Sequence, residues 1–329
     1  MTNTSGTTRP WFKKILLATD FSLASQAAFE AALRLCILSE ASLDILNVFE
    51  YARISSSGID GHISELDSFY KDAERSLYSL IQYAGSNGVP CEGRIESGMA
   101  HVSIVEAAVT GNIDVIVLGT RSIHGFERLV FGSTAEAVLR KATCPVLTVG
   151  PQAAAEASAA QAHAAFAHDG VVVFPTDFHV STTEALCYAA SFSAMMHLPL
   201  HCLHVLPRVL EDGPGNGAIP CIITEALRHL VGSLDKEMPL PICAVTYGSE
   251  ISNAVVKYAR KHHAKLIVLG VRRASLTASH IPAHISYRVI AEAPCPLLTM
   301  AFPRHPQLFG DAPFSEGRAI GAVRSRTVQ

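Results

Sequence analysis

Lys13-Lys14-Ile15-Leu16-Leu17-Ala18-Thr19-Asp20-Phe21 and Val171-Val172-Val173-Phe174-Pro175-Thr176-Asp177-Phe178 share one pattern, a short apolar run that ends in Thr-Asp-Phe. An apolar run without polar alternation reads as a strand buried on both faces of a sheet. A helical pattern follows each. In the first, Phe29, Ala32, Leu33, Cys36 and Ile37 recur at helical spacing, and in the second the Ala-rich stretch from Thr183 to Met196 takes the same place. From Asp20 to Val48, in Leu43-Asp44-Ile45-Leu46-Asn47-Val48, is 28 residues; from Asp177 to Val205, in Leu200-His201-Cys202-Leu203-His204-Val205, is 28 again.

The correspondence runs on. Asp114-Val115-Ile116-Val117-Leu118-Gly119 matches Lys265-Leu266-Ile267-Val268-Leu269-Gly270, and Ala142-Thr143-Cys144-Pro145-Val146-Leu147-Thr148 matches Ala293-Pro294-Cys295-Pro296-Leu297-Leu298-Thr299, both at a separation of 151. Between these strands lie helical stretches, Glu65 to Gly88 and Ser103 to Thr110 in the first copy. Strands alternating with helices specify βαβ units and a parallel sheet. The fold class is therefore α/β, two tandem doubly wound parallel-sheet domains. The first occupies residues 1–150 and the second 171–302. Between them residues 151–170 form an Ala-rich linker with partial helical character, and 303–329 a loosely held Pro-, Gly- and Arg-rich tail.

Composition agrees. A chain of 329 residues exceeds one ordinary core, and 49% hydrophobic against 17% charged residues supplies material for two. No run of about 18 apolar residues occurs, and the start MTNTSGTTRP lacks the apolar core of a signal peptide, so the expectation is a soluble cytoplasmic protein. A net charge of −3 gives no general attraction to nucleic acid or an anionic membrane. The eight cysteines contain no Cys-x-x-Cys pair and mostly sit in apolar periodic segments, which reads as buried thiols. The pairs His201/His204 and His262/His263 do not read as metal ligands, because such spacings put side chains on opposite faces of a strand or helix.

The segment with chemical potential is Gly119-Thr120-Arg121-Ser122-Ile123-His124-Gly125, then 126–131, then Gly132-Ser133-Thr134-Ala135-Glu136. It places a Gly-containing loop after a buried strand and a Gly-Ser pair at a helix start. Unpaired N–H groups and the positive end of the helix dipole can converge there on phosphate. The same residues also fit a turn, with Ser133-x-x-Glu136 as a capping box. The two readings are compatible.

Taken together, the strand ending at Asp20, the strand ending at Val48 and the Gly119–Thr134 segment resemble the universal stress protein domain, in both copies. The resemblance implies a Rossmann-like, adenine nucleotide alpha hydrolase-like fold. It also implies pairing of the last strands, Val146 to Val149 with Leu297 to Met300, so that one chain packs as a pseudo-dimer. ATP-binding members carry Gly, two residues, Gly, nine residues, then Gly followed by Ser or Thr. Here Gly119 leads to Ser122 and then to Gly132-Ser133, so the second glycine is Ser. A side chain there crowds a phosphate, and at positive φ costs about 1 kcal/mol. By resemblance Asp20 contacts the ribose or adenine, Val48 meets the adenine through its backbone, and Gly119, Ser122, Gly132, Ser133 and Thr134 surround the phosphates. Asp20 and Glu136 are the carboxylates that could order a magnesium ion beside them.

In the second copy Gly270-Val271-Arg272-Arg273 leads to Ala283-His284, which replaces Gly-Ser and removes the cradle, while Arg272, Arg273, His280 and His284 leave charge for another anion. No Walker-type Gly-Lys-Ser/Thr and no spacing for a catalytic triad occurs. The resulting expectation is an ATP-binding stress-response or signalling protein with its site in the first domain, open to a homo-oligomer or a signalling partner. A nucleotide-independent interaction module and a slow ATPase are the alternatives.

Overall fold

The computed structural model of the chain describes residues 12–50, 63–120, 132–162, 170–211, 213, 217–232, 234, 240–271 and 282–301. Ser122, Arg272, Arg273, His280 and the tail expected over 303–329 lie outside them.

The first copy runs β1 (Lys14–Thr19), α1 (Leu23–Ser39), β2 (Ser42–Phe49), α2 (Ile63–Ser86), β3 (Cys91–Ser97), α3 (Ala100–Thr110), β4 (Val115–Gly119), α4 (Ser133–Lys141) and β5 (Val146–Val149). Helix α5 (Pro151–Ala162) follows, within the stretch expected as a linker. The second copy repeats the order with β6 (Val171–Pro175), α6 (Val180–Met196), β7 (Leu200–Pro207), α7 (Ala218–Val231), β8 (Ile242–Gly248), α8 (Ile251–Lys261), β9 (Ala264–Val271), α9 (Pro282–Glu292) and β10 (Leu297–Ala301).

All ten strands join one sheet in the order β3-β2-β1-β4-β5-β10-β9-β6-β7-β8. Within each copy every neighbour is parallel. The strands are short and apolar because both faces are covered. Ile15, Leu17, Leu43, Ile45, Val115 and Val117 pack under α1 and α2, while Leu16, Leu46, Ile116 and Ile104 form the core on the other side. Both cores continue into the second copy, with Val172 and Phe174 on one face and Val173 and Ile267 on the other.

The copies meet where β5 and β10 pair antiparallel, Leu298 opposite Leu147. Thr148 Oγ1 adds a hydrogen bond to the Leu297 carbonyl at 3.2 Å. Phe12 lies against α6, its ring 5.5 Å from that of Phe192 and 6.2 Å from that of Tyr188. Gly150 lies so close to α9 that an added Cβ would collide with the Ile290 carbonyl. These contacts join the two copies, and each of the two cores runs through both.

The thiols depart in part from expectation. None of the eight forms a disulfide, and Cys36, Cys202 and Cys295 are buried, but Cys187 and Cys221 are exposed. Cys187 on α6 and Cys221 on α7 point outward, which the density of apolar neighbours in sequence does not reveal.

Candidate functional site

In a doubly wound sheet the strand order reverses between the first strand and the fourth, and the crevice outside their carboxyl ends is where ligands enter. Here that point lies between β1 and β4. β1 delivers Asp20 to it, β4 delivers Gly119, β2 delivers Val48 and α4 begins above it.

The turn after β1 is built from its own side chains. Phe21 holds a left-handed φ of 57°, costly for a bulky residue. Two bonds support it. Phe21 N–H donates to Thr19 Oγ1 at 3.0 Å, and Ser22 N–H donates to Asp20 Oδ1 at 3.1 Å. Ser22 then caps α1 by accepting the Ser25 N–H. Asn47 Nδ2 donates to the Thr19 carbonyl at 2.8 Å from below. Asn47 is 6% exposed, and its Oδ1 has no partner among the described residues. Asp20 itself is exposed at the surface of the crevice.

Gly119 packs directly against this turn. A Cβ built on it would run into the carbonyl of Ala24 and the nitrogen of Ser25. The glycine is therefore required by the close approach of β4 to α1, a steric reason independent of any ligand. Thr120 behind it is buried, its N–H bonded to the Val149 carbonyl at 3.0 Å. The β1–β2 ladder ends at Thr19 opposite Asn47, so Val48, half-buried, is one residue past it at the mouth of the crevice.

Gly132 is different. It occupies the N-cap position of α4 with φ −60° and ψ 131°, a conformation open to any residue, and no described atom lies within 4 Å of a Cβ built there. Neither strain nor packing within the described chain demands glycine at this point. The capping box expected for Ser133 and Glu136 does not form. Ser133 is already the first helical residue, no side chain caps the helix, and the Glu136 carboxylate pairs instead with Arg140 at 2.8 Å. Ser133 is exposed and Thr134 half-buried, both within one turn of Gly132.

The second copy keeps the turn and differs at the helix start. Phe178 again has a left-handed φ, 62°, with its N–H on Thr176 Oγ1 at 3.0 Å, and His179 N–H donates to Asp177 Oδ1 at 3.0 Å. His204 takes the place of Asn47. Its Nδ1 is 2.9 Å from the Thr176 carbonyl, and its ring lies 4.9 Å from that of Phe178, tilted by 38°. A carbonyl only accepts, so Nδ1 carries the proton. Helix α9 opens on Pro282, which has no N–H to offer at the helix start, and the Ala283-His284 pair falls within its first turn.

The other imidazoles are arranged by the fold rather than by sequence proximity. His201 on β7 meets Tyr258 of α8, Nδ1 to hydroxyl at 2.8 Å, and its ring lies 5.2 Å from that of His262. Burial, and then the neighbouring His262, push the pKa of His201 down. Among the described residues no three His, Cys, Asp or Glu side chains cluster as metal ligands.

The geometry has a family counterpart. The model of the universal stress protein family matches residues 12–150 and again 170–300. The chain belongs to the universal stress protein family. Universal stress protein A homolog 1 of Coxiella burnetii is 33% identical over 142 residues, which is 42% of this chain and 96% of that one. Universal stress protein YxiE of Bacillus subtilis is 30% identical over 146 residues, 42% of this chain and 99% of that one. Each such universal stress protein thus has the length of one copy. A universal stress protein from Archaeoglobus fulgidus superposes on both, covering 88% of this chain and 98% of that one, with a TM-score of 0.64 and 21% identity, and shares the fold. No helix among the described residues is long and apolar enough to cross a membrane.

Proposed function

We propose that the first copy is an ATP-binding domain of a stress-response or signalling protein, with Asp20, Val48, Gly119, Ser122, Gly132, Ser133 and Thr134 around the nucleotide. The observation that carries this reading is Gly132. A glycine that neither backbone strain nor packing within the described chain explains, at the start of a helix above a topological switch point, suits a backbone kept bare for a phosphate. The adenosine end would meet Val48 and Asp20. Glu136 is held by Arg140, which engages the carboxylate that would otherwise help Asp20 to order a magnesium ion.

Occupancy would act by linkage. A ligand that binds only the folded state stabilises it by about 2.7 kcal/mol at a hundred times its Kd. The reading is a binding protein, with a slow ATPase as the alternative.

The test is calorimetry with ATP together with acid extraction of the purified protein. Binding at or below millimolar ATP, or an extracted adenine nucleotide, is the expected result. No heat and no nucleotide would leave a nucleotide-independent interaction module, a reading that the Pro282 start of α9 favours for the second copy.

A further inference from the structure

Ser25 lies behind the candidate crevice and belongs to none of its expected ligand contacts. A hydroxyl has one hydrogen to give and two lone pairs to receive. In Ser25 all three are used. Oγ donates to Asp20 Oδ1 at 2.5 Å and accepts the Asp20 N–H at 3.2 Å. Ser22 Oγ lies 3.3 Å away and must be the donor there, since the single Ser25 hydrogen is already committed. The residue is 6% exposed, and the tight approach of Gly119 to Ala24 and Ser25 keeps it from withdrawing. Asp20 Oδ1 therefore receives two bonds from fixed directions, one from Ser25 and one from the Ser22 N–H. Two such bonds to one oxygen constrain the plane of the carboxylate.

We propose that Ser25 is a positioning residue that orients the Asp20 carboxylate toward the hydroxyls of a bound ribose. The proposal rests on the nucleotide reading of this crevice. An ionised carboxylate only accepts hydrogen bonds and repels phosphate, so the nucleotide groups it can receive are donors. The sugar hydroxyls are donors of this kind. Orientation in the free protein matters because a group already held in place loses less freedom on binding.

The experiment is calorimetry on the full chain with ATP and with 2′,3′-dideoxy-ATP, for the wild type, Ser25→Ala, Ser25→Thr, Asp20→Asn and the Ser25→Ala/Asp20→Asn double variant. Ser25→Ala should weaken ATP by roughly tenfold, about one hydrogen bond to a charged group, and leave the dideoxy nucleotide unchanged. Ser25→Thr, which keeps the hydroxyl, should restore ATP binding. On the Asp20→Asn background, Ser25→Ala should change nothing further. Equal weakening of both nucleotides by Ser25→Ala, or none, overturns the positioning role while ATP binding stands, as does a wild type that binds both equally. A wild type that binds neither overturns the nucleotide reading and this inference with it. Thermal melting of each variant separates loss of fold from loss of orientation.

Discussion

Asn47 and His204 perform the same task with different chemistry. Each reaches from the second strand of its copy to the carbonyl of the threonine before the Thr-Asp-Phe turn, at 2.8 Å from Nδ2 and 2.9 Å from Nδ1. The amide leaves its Oδ1 buried without a partner among the described residues, whereas the imidazole has no such oxygen and adds a tilted ring contact with Phe178. Transplanting one solution into the other copy should therefore be tolerated. Asn47→His is expected to match or slightly exceed the wild type in urea unfolding, while Asn47→Ala, which strips the Thr19 carbonyl of its donor, should cost about 1–2 kcal/mol.

Two glycines with opposite reasons should give opposite phenotypes. Gly150→Val would drive a side chain into the Ile290 carbonyl, and should lower stability by about 3 kcal/mol or more and speed hydrogen exchange in β5 and β10. Gly132→Ala meets no described atom within 4 Å and needs no unusual φ, so its melting temperature should change little. Its nucleotide affinity should nevertheless fall, as calorimetry would show.

At the junction of the copies, Thr148 and Thr299 are related positions with unequal hydroxyls. The first bonds the Leu297 carbonyl, and the second, 4% exposed, has no partner for Oγ1 among the described residues. Thr148→Val should lose about 1 kcal/mol, and Thr299→Val should be neutral or gain up to about 1 kcal/mol, because it removes an unpaired buried hydroxyl. Differential scanning calorimetry of the two variants reads the difference directly.

The His201 cluster sets a pH dependence. Burial lowers the pKa of both His201 and His262 below their ordinary value, so the unfolded chain binds more protons than the folded one as pH falls past about 6.5. Their contribution is present above that value and declines beneath it. Urea midpoints at pH 7.5 and 5 should fall on acidification, and His201→Phe should reduce the fall while the partner variant Tyr258→Phe should not.

The architecture was legible because buried parallel strands are short, apolar and regularly spaced, so that intervals of 28 and 151 residues expose the duplication. The positions of Asp20, Gly119, Gly132 and Val48 at or beside strand and helix ends were legible for the same reason. Ser25 and Asn47 were not. A serine in the first turn of a helix and an asparagine near a strand end look ordinary in sequence, and their roles exist only once β1, β2 and β4 are side by side. The capping box at Ser133 failed for a related reason: the spacing fits, but the helix begins one residue early and Arg140 takes the Glu136 carboxylate.

The antiparallel seam between β5 and β10 has a geometric outcome of its own. Every strand of one copy points with β5 and every strand of the other with β10, so the carboxyl ends of the two sets emerge at opposite poles of the sheet. The two crevices thus look away from each other. No single small ligand can bridge them, and a change at the start of α9 leaves the walls of the first crevice untouched.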